Sequence, residues 1–269
     1  MDIIVCVKRV PDTGAKVEID SSGIDIKRDI PWVINPYDEF AIEEALRIKE
    51  KLGGKVILLH AGAEGGEDIL KKGIAMGADE AVYVKDPRFV ALDIMAVAKA
   101  LCAVIKNTAF DIILCGKMGT DASSGVIGNA LAALLNIPCV TAIKKLTISP
   151  DAKKAEADIE IEGGCTPGRG CAPGSGMETV ECPLPALFTA HRGLNEPRYP
   201  SLSGIMRAKK QEIKYLSLAS LGITSGGCGF KREALSCPPT SRKGVILNGS
   251  VRSQVKEAIK FLRHEVKII

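Results

Sequence analysis

The chain has 269 residues, of which 46% are hydrophobic and 25% charged, and carries a net charge of +4 at pH 7. That balance belongs to a globular chain with one large core, or one core with an extension. The mild charge and 4% aromatic content argue against nucleic acid as a partner, and no apolar run reaches the length of a membrane span. The start, Met1-Asp2-Ile3-Ile4-Val5, shows neither the basic region of a secretion signal nor an Arg- and Ser-rich transit leader, which predicts a cytoplasmic protein without membrane insertion.

Short apolar runs at Ile3–Lys8, Val56–Ala61, Ala81–Val84, Ile112–Cys115 and Cys139–Thr141 predict strands. They are continuous rather than alternating, as in a parallel sheet covered on both faces. Between them Pro36–Leu52, Glu67–Met76, Ala91–Asn107 and Gly125–Leu135 carry apolar residues at helical spacing. Asn35 is the expected cap of the first helix, with Pro36 at its first position. Gly53-Gly54 and Gly77 are stop signals. The alternation predicts an α/β fold, a doubly wound, Rossmann-like parallel sheet.

The stretch from Ile112 through Gly116-Lys117-Met118-Gly119-Thr120-Asp121-Ala122-Ser123-Ser124-Gly125 to Gly128 reads as strand, glycine loop, helix. Free backbone N–H groups and a helix dipole at a strand's carboxyl end bind phosphate. Ser123 and Ser124 add hydroxyls. The string is neither GxGxxG nor a Walker loop, and a plain turn with a helix cap is the alternative.

After Pro150 the texture changes. Lys144–Ile148 and Ala155–Glu162 nearly alternate, as half-exposed antiparallel strands do. Gly163 to Gly176 is rich in glycine and holds Cys165 and Cys171, a Cys-x5-Cys spacing unlike common zinc or iron–sulfur patterns, so a surface hairpin without metal is expected, with a redox-sensitive dithiol as the alternative. Val180–Cys182 and Ala186–Thr189 follow. Then Leu194-Asn-Glu-Pro-Arg-Tyr-Pro-Ser-Leu-Ser-Gly-Ile-Met-Arg-Ala-Lys-Lys210 forms a proline-punctuated loop running into a short basic helix, capped by Ser201 or Ser203. Leu202, Ile205 and Met206, rimmed by Arg207, Lys209 and Lys210, suggest a protein-docking surface. The alternative tucks Leu202 and Ile205 into the core. Leu216 to Ser241 reads as an extended arm, and Val251–His264 as a final amphipathic helix.

Nine cysteines are present. Cys6, Cys102, Cys115 and Cys139 lie in apolar segments and are expected to act as small core hydrophobes. Cys228 and Cys237 fall in the arm. His60, His191 and His264 form no nucleophile–base spacing, and His60 is expected to be a packed residue. Asp38, Glu39, Glu43 and Glu44 are read as dipole-complementing, solvated acids of the first helix. No self-contained active site is visible, so no residue is assigned as catalytic.

The 194–210 string closely resembles the partner-recognition loop of the electron-transfer flavoprotein β-subunit family. Ile3-Ile4-Val5-Cys6-Val7-Lys8-Arg9-Val10-Pro11-Asp12, Asn35-Pro36-Tyr37-Asp38-Glu39-Phe40-Ala41-Ile42-Glu43-Glu44-Ala45 and Ala75-Met76-Gly77-Ala78-Asp79 resemble its first strand, first helix entry and the turn before its third strand. The resemblance runs the length of the chain in the family's order. It implies the small subunit of a heterodimeric electron carrier, which leaves the redox chemistry to a flavin. The partner α subunit holds the FAD that the two subunits share. It also implies an adenine nucleotide in this subunit, AMP in ordinary members and a second FAD in electron-bifurcating, NADH-oxidising members. By position the contacts are Cys6, Val7, Lys8, Asn35, Ala61, Gly116, Lys117, Asp121, Ser123, Ser124, Gly125 and Val126. The bifurcating members carry Asp-Gly-Asp-Thr-Ala-Gln-Val-Gly where this chain has Asp121-Ala122-Ser123-Ser124-Gly125-Val126-Ile127-Gly128. Asp121 and Gly128 match, Ser124 stands for Thr, and the second Asp and the Gln are absent, so both nucleotides stay open, with AMP favoured.

The resemblance further implies docking of a dehydrogenase, of acyl-CoA dehydrogenase type, through Leu202, with Ile205 and Met206 beside it. Arg207 and Lys210 stand at family lysine positions that steer acidic partners. Tyr37 and Phe40 approach the flavin or pack in the core. The expected organisation is a nucleotide-binding domain over residues 1–215, including a small antiparallel extension and the loop 191–210, and an arm over 216–269 that embraces the α subunit. Set against the family, residues 163–176 contain an insertion. A reading of another class, a homodimeric nucleotide-sensing α/β protein, accounts for the first 150 residues and leaves the loop and arm unexplained.

Overall fold

The computed structural model describes residues 1–90, 92–161, 176–224, 233–237 and 244–266. The alternating apolar segments fold as expected into a Rossmann-like α/β layer structure. In chain order the strands are β1 (Asp2–Cys6), β2 (Arg9–Pro11), β3 (Trp32–Ile34), β4 (Lys55–Gly62), β5 (Glu80–Lys85), β6 (Ile112–Gly116), β7 (Cys139–Ile148), β8 (Lys154–Ile161), β9 (Gly176–Pro183), β10 (Ala186–Ala190) and β11 (Lys214–Leu216). The helices are α1 (Pro36–Leu52), α2 (Gly66–Met76), α3 (Ile94–Ile105), α4 (Val126–Leu135), α5 (Leu202–Lys210) and α6 (Val251–Phe261).

Among the described residues the main sheet has nine strands in the order β11-β5-β4-β1-β6-β10-β7-β8-β9. Pairing is parallel from β11 to β7 and antiparallel from β7 through β8 to β9, the expected antiparallel extension. Along each central strand successive side chains enter opposite layers. Ile3 and Val5 of β1 join Ile112 and Leu114 of β6 against Ile42 and Leu46 of α1 and Leu70 and Ile74 of α2. Ile4 and Cys6 join Ile113 and Cys115 against Leu101 and Ile105 of α3 and Leu131 of α4. Burial on both faces is why these runs read as unbroken apolar stretches. Each fully buried Ile or Leu stabilises by about 1.5–3 kcal/mol.

Several details differ from the expectation. Cys139–Thr141 and Lys144–Ile148 are one strand, β7, bent where its register with β8 shifts between Ile143 and Lys145. β10, whose place in the sheet the sequence left open, lies between β6 and β7. α3 starts at Ile94, where the Asp93 carboxylate accepts from the Ala96 N–H at 2.8 Å. β2 and β3 form a short separate ribbon above the end of β1. The packed body runs past residue 215. Leu218 is fully buried, its N–H donates to Asp86, and Leu221 and Ile223 lie on the α3 side of the core.

Cys6, Cys102 and Cys115 are buried, as is Cys182, whereas Cys139 is half-buried at the sheet surface and Cys237 is exposed. Cys165, Cys171 and Cys228 lie outside the described residues. Among the described residues no helix is long and apolar enough to cross a membrane.

Candidate functional site

The chain runs β1 to β4 to β5 in one direction from the centre, then crosses through α3 to β6 on the other side of β1. Such a reversal opens a crevice beyond the carboxyl ends of the strands. A cavity of about 590 Å³ occupies that position, within the range of small-ligand sites. Its floor is the ends of β1, β4 and β6, its far wall is the 116–128 loop with the start of α4, and its apolar lip includes Phe89, Ile94 and Val97.

Cys6, Val7, Lys8, Asn35, Ala61, Gly116, Lys117, Asp121, Ser124 and Gly125 line this cavity. Ser123, on the same loop, and Val126, the first residue of α4, stand outside the lining. Ser123 takes a left-handed conformation with φ 49°, and its N–H donates to Gly119 O at 2.8 Å. Gly125 precedes α4 without a side-chain cap. The first-turn amides of α4 thus keep no capping acceptor, which suits an anion. Lys8 Nζ reaches Asp121 at 2.7 Å across Gly119, whose bare Cα leaves room for the pair. The Thr120 hydroxyl beside it is buried with no hydrogen-bond partner among the described residues.

Two first-helix residues depart from their expected roles. The Asn35 side chain makes no cap to α1. Its Nδ2 donates to Met118 O and to Asp38 Oδ1, each at 2.9 Å, and its Oδ1 accepts from the Thr120 N–H at 3.2 Å. It therefore ties α1 to the 116–120 loop. Asp38 is not a solvated dipole partner but is buried, 4% exposed. Its carboxylate accepts from Lys8 N at 2.6 Å and Gly116 N at 3.0 Å, as well as from Asn35. One side chain so joins the end of β1, the end of β6 and the start of α1. Burial pushes its pKa up to about 7 against the pull of the Asn35, Lys8 and Gly116 donors. A Cβ on Gly116 would collide with this carboxylate, so the glycine is required by the close approach. His60, buried behind the floor, has its imidazole drawn down to about 4 by burial. Val7 O lies 2.9 Å from Nδ1 and can only accept, so Nδ1 carries the proton.

Glu43 and Glu44, also expected to be solvated, are buried and hold the 194–200 segment. Arg198 Nε donates to Glu43 at 2.8 Å and its Nη1 pairs with Glu50, while Asn195 Nδ2 donates to Glu44 at 2.9 Å and Phe40 O at 3.0 Å. Burial raises the Glu43 carboxyl, but Arg198 and Arg47 overcome it and leave the pKa below its ordinary value. Phe40 packs against the core, and the Tyr37 ring meets His191 edge-on at 5.9 Å.

Ser201 caps α5, its Oγ accepting from the Gly204 N–H at 3.0 Å. Gly204 lies directly on the Ala75 carbonyl. Arg207 turns inward and donates to Ile74 O at 2.7 Å and Ala78 O at 3.1 Å, neutralising the C-terminal end of α2. It thus fixes the helix while staying exposed. Leu202 does not tuck in: it is 78% exposed, with Tyr199 at 95% and Ile205 and Met206 open beside it. Lys210 ends the helix in solvent. Far along the chain, α6 buries no residue and exposes Val251, Val255 and Ile259 at four-residue spacing.

The family described as electron transfer flavoprotein domain matches residues 24–221. The chain is 38% identical over 272 residues to "Electron transfer flavoprotein subunit beta" of Bacillus subtilis, covering all of both chains. It is 37% identical to the protein of the same name from Thermoanaerobacterium thermosaccharolyticum, over 99% of this chain and 100% of the relative. It is also 32% identical, over the full length of both, to "Caffeyl-CoA reductase-Etf complex subunit CarD" of Acetobacterium woodii.

Proposed function

This chain belongs to the electron transfer flavoprotein β-subunit family, and we propose that it is the small subunit of a cytoplasmic heterodimer that passes electrons from a dehydrogenase to a further acceptor. Membership displaces the homodimeric sensor alternative. The observation that carries the reading of this subunit's own role is the crevice at the ends of β1, β4 and β6, with its uncapped α4 start. It supports AMP as a bound structural nucleotide. Lys8, Lys117 and the α4 amides would take the phosphate, with Asn35 and Asp38 keeping the three walls in register. FAD held with the α subunit supplies the one- and two-electron chemistry. Leu202 and its apolar neighbours offer an acyl-CoA dehydrogenase-type partner an exposed anchor on a helix that Ser201, Gly204 and Arg207 hold in place. The apolar stripe of α6 supports contact with the α subunit.

The test is the cofactor content of this chain purified with its α partner and then denatured. One FAD and one AMP per heterodimer are expected. Two FAD and no AMP would replace the reading by an electron-bifurcating one, in which this site holds the second flavin. No nucleotide beyond the shared FAD would remove the crevice assignment.

A further inference from the structure

Asn195 and Arg198 tie the 194–200 segment to α1, and beside that tie lies a second hollow. Ile48 of α1, Leu146 and Ile148 of β7 and Leu194 give apolar lining to a cavity of about 240 Å³. Leu146, Ile148 and Leu194 are only partly buried against the core, so the hollow is apolar and open. It lies below the roughly 300 Å³ at which small-molecule sites begin and is of a size for one large apolar side chain from another protein.

The charged residues in the lining are Glu44, Arg47, Lys51 and Lys145. Glu44 is buried and answered by the Asn195 amide at 2.9 Å. Arg47 is answered by Glu43 at 2.8 Å. Lys145 stands 3.8 Å from Asp158 with most of its side chain in solvent, a pair that contributes little. Lys51 is exposed and has no ion pair among the described residues. The lining thus carries positive charge that this chain leaves unanswered, and an acidic partner complements it.

The hollow is continuous with the Leu202 surface. Leu194 is both its wall and the start of the segment that leads to Leu202. Arg47 Nη2 donates to Glu196 O at 3.4 Å, and Arg198 joins Glu43 and Glu50. Leu194 and Leu202 are eight residues apart, at most about 29 Å even if fully extended. A standard interface covers about 800 Å² on each partner, a disc roughly 32 Å across. One docked protein of ordinary footprint reaches both points.

We propose that the dehydrogenase anchored by Leu202 makes a second contact here, seating an apolar side chain flanked by carboxylates in the hollow between α1 and β7. Docking is then reciprocal: Leu202 enters the partner, and the partner enters this chain. This second contact rests on the docking reading above.

The experiment is surface plasmon resonance of the flavin-loaded heterodimer over immobilised acyl-CoA dehydrogenase from the same organism. Wild type is compared with Leu202→Ser, Lys51→Glu and Leu52→Ser, each checked for an unchanged melting temperature and flavin content. Leu52 lines the hollow, is exposed and lies outside the buried core, so its loss spares the fold. Leu52→Ser should weaken binding by about threefold or more through faster dissociation. Lys51→Glu should weaken it by about tenfold at low salt, mostly through slower association, and the loss should shrink as salt rises. Wild-type binding by both, while Leu202→Ser is weakened, overturns the second contact and leaves the docking reading standing. Loss of the α subunit from either variant also overturns it, by giving the hollow to the other interface. If Leu202→Ser binds as wild type does, the docking reading fails and the second contact falls with it.

Discussion

Asp38 shows how one residue can set a site that it need not touch a ligand to serve. Its folded pKa stands at about 7 against an ordinary 3.8. The folded form therefore holds a proton that the unfolded chain has released across that window. The sign follows: this group's stabilisation is complete below about pH 4 and is lost as pH rises through about 7. Asp38→Asn should remove that slope and cost about 1–3 kcal/mol at pH 6, because the new amide turns a donor toward Lys8 N or Gly116 N. Urea denaturation at pH 5, 6 and 8 checks both; an unchanged slope would exonerate Asp38 as its source. His60 works in the opposite sense, its contribution being lost as pH falls from 6.5 toward 4. The burial of His60 was legible in the sequence; the role of Asp38 was not. An acid in the first turn of a helix usually complements the dipole, and only the approach of Gly116 from the end of β6 and of Lys8 from the turn after β1 reveals the different use of Asp38.

At the scale of elements, sequence and structure agree where burial is two-sided and disagree where tertiary placement decides. β1, β4, β5 and β6 are legible because each face meets a helix layer, which forces unbroken apolar runs. β2 and β3 are not, since three-residue strands carrying Arg9, Pro11 and Trp32 are too short to show a period. The 194–210 segment was legible as loop and helix, but its anchoring was not. Arg198→Ala should cost about 2 kcal/mol, discounted for the one-third exposure of the arginine, since Glu43 keeps Arg47. The Glu43 part of this clamp should weaken as pH falls through its lowered folded pKa. Thermal melts of Arg198→Ala across pH 4–7 test this; a loss no larger at pH 7 than at pH 4 would contradict it. By contrast Leu202→Ser, at a site 78% exposed, should change stability by less than about 0.5 kcal/mol. It should still weaken dehydrogenase binding in surface plasmon resonance. Intact binding would send the docking surface elsewhere.

For the whole molecule, the body closed by Leu218, Leu221 and Ile223 carries the crevice, while α6 contributes nothing to that core. Deleting residues 244–269 should therefore leave the melting transition of this chain alone unchanged and abolish co-purification with the α subunit. A large drop in melting temperature would show that the final helix belongs to the body instead.

The place of β10 bears on how the chain is made. Leu187 pairs at once with Ile113 of β6 and Cys139 of β7, so the sheet has a one-strand gap until residues 186–190 leave the ribosome. From the end of β7 at Ile148 that wait lasts roughly 2–8 s at ~5–20 residues per second. Throughout it, β6 and β7 present facing rows of unpaired N–H and C=O groups, the shape a stray strand from another nascent chain would fill. The antiparallel pair β8 and β9 is synthesised in that interval and can cover the outer edge of β7, leaving a single slot that the late strand β10 fills.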